Sequence, residues 1–257
     1  MATALVRGLL NQGTPPHDLI VASPRIGPQH PFCQQCDIPF TQNNTMAAEQ
    51  AAIIILAVKP QILRTIASDL RPVLQQRTPL VISLAAGIRI RTLADWLGAP
   101  VPIVRSMPNL PVTLQMGMTG LYADPLVAPA LRAQAESLLS AVGLVLWTER
   151  EEMLDAITAV SGSGPGYVFF MQQAMEEAAR HLGLDAASAR LLTTQTFLGA
   201  AQMAASGTTA PVDLCTQVCC PGGTTEAGIH TFEQKHLKTI FRDAIDAACQ
   251  RAQALSE

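Results

Sequence analysis

The residues best placed to do chemistry are Pro221-Gly222-Gly223-Thr224-Thr225. A Pro-Gly-Gly turn running into a helix leaves backbone N–H groups free at the positive end of that helix, which makes an anion site. A carboxylate held there would bring a threonine hydroxyl to the reacting group. On spacing alone, an ordinary helix cap accounts for the same residues at least as well. A second group lies in the first half. Lys59-Pro60 follows the aliphatic run Ala52–Val58, Ser83–Gly87 are small or flat residues after another run, and Arg105-Ser106-Met107-Pro108-Asn109 closes a third. A cation, small loops, an apolar side chain and an amide at successive strand ends would line one ligand crevice. Ser23-Pro24-Arg25 ends an earlier strand without an acidic residue, so Arg25 favours a 2′-phosphate over a bare ribose, and NADP over NAD. The third group is the cysteines. Cys33 and Cys36 form a CxxC after His30, while Cys215, Cys219 and Cys220 lie in the other half and lack zinc spacing. Free, reduced thiols and no metal site are expected.

The elements that must carry these residues alternate. Helix is expected at 3–12, strand at 18–22, a weak strand at 36–41, strand at 52–58 and helix at 61–74. Strands follow at 80–85, 102–107, 118–123 and 144–147, with a helix at 128–142 before the last. The unbroken aliphatic character of 52–58 predicts a strand buried on both faces. This alternation describes a doubly wound α/β, Rossmann-like domain over 1–150. From Leu154 every periodic segment is helical, which sets a second, all-α domain at 151–257. Its central stretch pairs a tight glycine-rich turn, 161–166, with a segment from Tyr167 to Ala179 that is apolar nearly all round. A helix apolar on every face must be buried on every face. In so small a domain a partner chain is the ready solution, so a dimer through the C-terminal helices is expected.

Composition agrees with a soluble, oligomeric protein. Of 257 residues 49% are hydrophobic and 14% charged, with net charge −3. That balance gives no basic footprint for nucleic acid. The aliphatic run at 51–58 is too short to span a bilayer, and the first residues lack the pattern of a secretion signal. A cytoplasmic location is expected.

Taken together, Ala57-Val58-Lys59-Pro60-Gln61, Val104–Pro111, Ser161-Gly162-Ser163-Gly164-Pro165 and Pro221–Thr225 occur in the order and spacing of the pyrroline-5-carboxylate reductases, which this chain resembles from Met1 to its last helix. The resemblance implies hydride transfer from NADPH or NADH to 1-pyrroline-5-carboxylate, giving L-proline. It also implies a homo-oligomer through interlocked C-terminal helices. Ser23, Asn44, Val58, Lys59 and Ala86 match family cofactor contacts, in the crevice where Arg25, Pro60, Met107 and Asn109 also fall. Thr224 and Thr225 match the substrate loop, with the Thr225 hydroxyl near the imine nitrogen. The N–H groups after Pro221, on Gly222 and Gly223, would hold the carboxylate. Cys220, Glu151 and Gln217 complete the implied substrate residues.

Three departures stand out. Cys220 replaces the serine usual before Pro221, and Gly166 replaces the alanine after Pro165. The family's first strand and glycine-rich turn precede the point where this chain begins, so a truncated start, weakened NADPH binding and impaired reduction are expected. The alternatives are an inactive dimer-forming remnant and a reductase for a related cyclic imine.

Overall fold

A computed structural model describes residues 1–24, 27 and 29–256 of the chain. The chain divides into two compact units, Met1–Ser163 with Ala248–Glu257, and Gly164–Ala247.

The first unit alternates strand and helix. Its elements are α1 (Ala2–Asn11), β1 (Val21–Ala22), α2 (Pro31–Cys36), β2 (Phe40–Thr41), α3 (Asn44–Gln50), β3 (Ile53–Leu56), α4 (Pro60–Leu74), β4 (Leu80–Ser83), α5 (Ile90–Leu97), β5 (Ile103–Pro108), β6 (Gly117–Ala123), α6 (Pro129–Ser140), β7 (Gly143–Trp147) and α7 (Met153–Ile157). The strands form a two-stranded parallel sheet, β1-β2, and a five-stranded sheet in the order β3-β4-β5-β6-β7. Leu63, Ala67, Leu70 and Leu74 pack one face of α4 against Val81 and Ile103. Leu5 and Leu9 of α1 join Ile82, Val104, Leu121 and Leu139 on the other face of the sheet.

Three sequence expectations change here. The run 52–58 is not sandwiched on both faces. β3 is an end strand of its sheet, paired only with β4 among the described residues, and only Leu56 of its four residues is buried. The sheet is mixed, because β6 runs antiparallel to β5. The short connection at 109–116 carries only a 3-10 turn, Leu110–Leu114, and a parallel return would need a crossover of a dozen residues or more. The helices α2, α3 and α5 were not anticipated, although Ile90, Leu93 and Leu97 make the buried face of α5.

The glycine-rich segment after α7 is not a tight turn. It is a π-helical stretch, Thr158–Gly162, leading into α8 at Gly164. The Thr158 and Ser161 hydroxyls donate back to Leu154 O at 2.6 Å and Ile157 O at 3.0 Å. Pro165 falls at the second position of α8, where a missing N–H costs nothing. A Cβ at Gly162 would stand 2.8 Å from Met107 Cε, so this stretch lies close to the end of β5.

The second unit is helical: α8 (Gly164–His181), α9 (Ala186–Ser206), α10 (Pro211–Val218), α11 (Thr224–Gln234) and the first part of α12 (Leu237–Ala254), whose last turns belong to the first unit. Asp185 caps α9, accepting from Ala187 N and Ser188 N at 3.0 Å each. No residue of α8 is buried within the single chain, and Phe169 and Phe170 are 58% and 72% exposed. Aromatic exposure on that scale marks an interaction surface.

Candidate active site

The candidate residues fall into two groups, one in each unit. In the first unit they stand at the carboxyl ends of parallel strands. Ser23 follows β1, its N–H donating to Thr41 O at 3.1 Å. Asn44 opens α3 behind its cap Asn43. Val58 lies beyond β3, Lys59 is the exposed cap residue of α4, and Pro60 is that helix's first residue. Ala86 is exposed in the loop after β4, beside Gly87 at φ +74°. Met107 is half-buried near the end of β5. Arg25 lies outside the described residues. An exposed ammonium, two helix starts and a small, open loop are the donors and the space that an anionic dinucleotide requires.

Two members of that group are used differently from the sequence reading. Asn109 is buried, and both ends of its amide are engaged: Nδ2 donates to Ser161 O at 3.0 Å, and Oδ1 accepts from Met118 N at 2.9 Å. It anchors the π-helical stretch to β6 rather than offering its amide to a cofactor. Glu151 is likewise committed within the first unit. Its Oε1 accepts from Arg105 Nη1 at 2.9 Å and from Ile90 N, the first amide of α5, at 2.8 Å. That oxygen ties β5 to the start of α5.

Beneath these loops lies a charged network that sequence reasoning missed. Asp155 is 1% exposed and Arg105 4%. Asp155 Oδ2 meets Arg89 Nη2 at 2.7 Å, and its Oδ1 lies 3.7 Å from Arg105 Nη2 and 3.3 Å from the Ser256 hydroxyl. Arg89 Nη1 is buried without an acceptor among the described residues. Tyr122, paired with Arg105 across β5 and β6, has its phenol pKa pushed up by burial, then by Glu151, Asp124 and Glu152. It stays neutral at ordinary pH.

In the second unit, Cys220 to Gly223 form the tight turn that opens α11. Gly223 N donates to Cys220 O at 2.9 Å, and Gly222, at φ +72°, donates its N–H to Glu226 Oε2 at 2.7 Å. The two amides assigned to the carboxylate are therefore already partnered. The unclaimed donors are those of the first turn, on Thr224 and Thr225, because first-turn amides have no partner inside their own helix. Thr225 is half-buried and Thr224 exposed; Gln217 and Cys220 are exposed nearby in the chain. Glu226 was overlooked, although a glutamate three residues after the cap is a known sign of a reciprocal cap. Partial desolvation, then the charges of Glu226 and the neighbouring thiols, raise the Cys219 thiol pKa. All six cysteines are free, and no cluster of three or more metal-ligating side chains occurs among the described residues.

Comparison with known proteins decides the family. A pyrroline-5-carboxylate reductase from Pseudomonas aeruginosa is 42% identical over the whole chain, covering 94% of that protein. The chain belongs to the pyrroline-5-carboxylate reductase family. The family model for pyrroline-5-carboxylate reductase dimerisation matches residues 151–255, and a model for coenzyme F420-dependent NADP oxidoreductases matches residues 1–87. A pyrroline-5-carboxylate reductase structure from Coxiella burnetii superposes with TM-score 0.95 at 40% identity, over 100% of this chain and 95% of that one. The Plasmodium falciparum pyrroline carboxylate reductase, solved with NADP bound, superposes with TM-score 0.85 at 25% identity, over 99% and 94%. These matches run the length of the chain. The Rossmann-like first domain and the helical dimerisation domain are those the sequence led us to expect. No helix among the described residues is long and apolar enough to cross a membrane.

Proposed function

We propose that this chain reduces 1-pyrroline-5-carboxylate to L-proline with NADPH. The observation that carries the reading is the full-length identity with pyrroline-5-carboxylate reductases, joined to a PGGTT loop whose first-turn amides are open to an anion. When bound, the nicotinamide supplies the hydride. The chain divides the work between residues 1–150, which hold the nucleotide, and 151–257, which hold the imine and the partner subunit. Lys59 and the amides opening α3 and α4 hold the phosphates. Ser23 faces the 2′-phosphate, and the sequence offers Arg25 as a further cation for the same anion. Val58, Pro60, Ala86 and Met107 bound the flat rings. The amides of Thr224 and Thr225 hold the substrate carboxylate, with Gly222, Gly223 and Cys220 fixing the turn that aims them and Gln217 at its approach.

The chemistry asks little acid–base work of the protein. A cyclic imine is readily protonated, and the iminium accepts hydride at carbon. Alignment at near-attack distance and exclusion of water are the protein's share. The Thr225 hydroxyl hydrogen-bonds the ring nitrogen and holds it in register. The same site accepts NADH more weakly, because a 2′-phosphate adds a second anionic handle. Six free thiols fit a reducing compartment, and we place the reaction in the cytoplasm. NADPH oxidation against the five- and six-membered imine carboxylates tests the reading. Turnover of the five-membered ring is expected, and turnover of the six-membered ring alone would overturn it.

A further inference from the structure

The loop that follows β4 is held from two directions. On one side, Glu151 takes the amide of Ile90 and Asp155 takes Arg89. On the other side lies the end of the chain. A Cβ placed on Gly87 would stand 2.8 Å from Leu255 O and 3.3 Å from Leu255 Cβ, so the last turn after α12 rests directly on that glycine. Ser256 is 8% exposed, and its hydroxyl lies 3.0 Å from Ala252 O and 3.3 Å from Asp155 Oδ1. A serine this well buried meets a carboxylate 101 residues away in sequence, which ties the turn after α12 to α7.

We propose that Leu255 and Ser256 are positioning residues for the nucleotide: the last turn clamps Gly87 while Asp155 holds both Ser256 and Arg89, which fixes the Ala85–Gly87 loop for the cofactor. This rests on the reading of Ala86 and Lys59 as cofactor neighbours. Because α12 starts in the helical unit and ends in this clamp, the same helix serves the dimerisation unit and the nucleotide loop.

The test is Ser256→Asp, which sets a second carboxylate against Asp155 and expels the turn by like-charge repulsion. NADPH dissociation constants are read by fluorescence titration of the full-length protein, beside imine KM, melting temperature and sedimentation. Ser256→Asp is expected to weaken NADPH binding about fivefold or more, with imine KM and the dimer retained and most of the affinity recovered in Ser256→Thr. Deleting residues 255–257 serves as a second route to the same loss should the aspartate variant fail to fold. Unchanged NADPH affinity in both would overturn the proposal. So would a joint decline of NADPH affinity, imine KM and melting temperature, since that is what a merely structural tail would do. Lys59→Ala separates the underlying reading. If it leaves NADPH affinity intact, the crevice assignment fails; if it weakens binding while the tail variants do not, only the clamp fails.

Discussion

Asp155→Asn is the sharpest perturbation of the first unit. The substitution keeps the shape of the side chain and removes its charge. In the native protein that carboxylate faces Arg89 at 2.7 Å and Arg105 at 3.7 Å, and its side chain is 2% exposed. Glu151 still neutralises Arg105 at 2.9 Å. Arg89 has no second acidic partner among the described residues, and its Nη1 is already without an acceptor. The asparagine amide would also turn a donor toward one of the two guanidinium groups. Removing one partner of a buried ion pair costs about 3–5 kcal/mol, because the remaining charge stays desolvated. Arg89 is 24% exposed on its side chain, so water recovers part of that, and the lower end of the range is expected. For a protein of this size each kcal/mol moves the melting temperature by roughly 2–4 °C, so a drop of about 6–12 °C should be seen by calorimetry. The cycle is closed with Arg89→Met. If the loss in Asp155→Asn comes from a stranded guanidinium, the double variant should be more stable than the sum of the singles predicts. A shift of less than about 2 °C, or strict additivity in the cycle, would refute the account of the network.

Thr225→Val should lower turnover roughly tenfold to a hundredfold, the equivalent of about 1–3 kcal/mol, by removing the hydrogen bond to the ring nitrogen; wild-type kinetics would leave the hydroxyl with no role beyond the loop. Phe170→Glu puts a charge on the 72% exposed aromatic face of α8 and should convert the sedimenting dimer toward monomer at micromolar concentration, an outcome that an unchanged sedimentation coefficient would rule out. The Ser188 hydroxyl and amide hold the Asp185 carboxyl below its ordinary range. A depressed folded-state value means the capping contribution is complete above the unfolded-state value near 3.8 and is lost as pH falls through the folded one. The stability gap between wild type and Asp185→Ala should therefore be full at neutral pH and shrink below about pH 4; a gap independent of pH would show that charge plays no part in the cap.

The architecture was legible because it is written in faces. The stripe of α4 and the aliphatic runs of β4 and β5 state which surfaces must be hidden, and period reads that directly. A Pro-Gly-Gly turn before two threonines opens a helix with first-turn amides free, which serves an anion or an ordinary cap alike. What period cannot read is a partner. Asn109 at the end of β5 has the same sequence signature whether its amide faces a ligand or a carbonyl. Here the π-helical stretch exposes Ser161 O, and Asn109 meets it. Glu151 matches a substrate residue by resemblance, yet its carboxylate accepts the first amide of α5 from sixty-one residues away.

One signal was available and went unused. Asp155 sits in Met153-Leu154-Asp155-Ala156-Ile157, an apolar turn with a single charge in it. Leu154 beside it is fully buried, and nothing in such a stretch tolerates an unpaired carboxylate. A carboxylate in such a turn either faces solvent or needs a cationic partner. Arg105 raises the same question, since it stands inside the apolar β-strand Ile103–Pro108. Two opposite charges, each in an apolar element, are expected to find one another. The chain adds Arg89 and Ser256 to that pair, and these two carry no such mark: one lies in a loop and the other near the terminus. Charge in apolar elements thus points from sequence toward the centre of the network, while Arg89 and Ser256 join it only once the chain is folded.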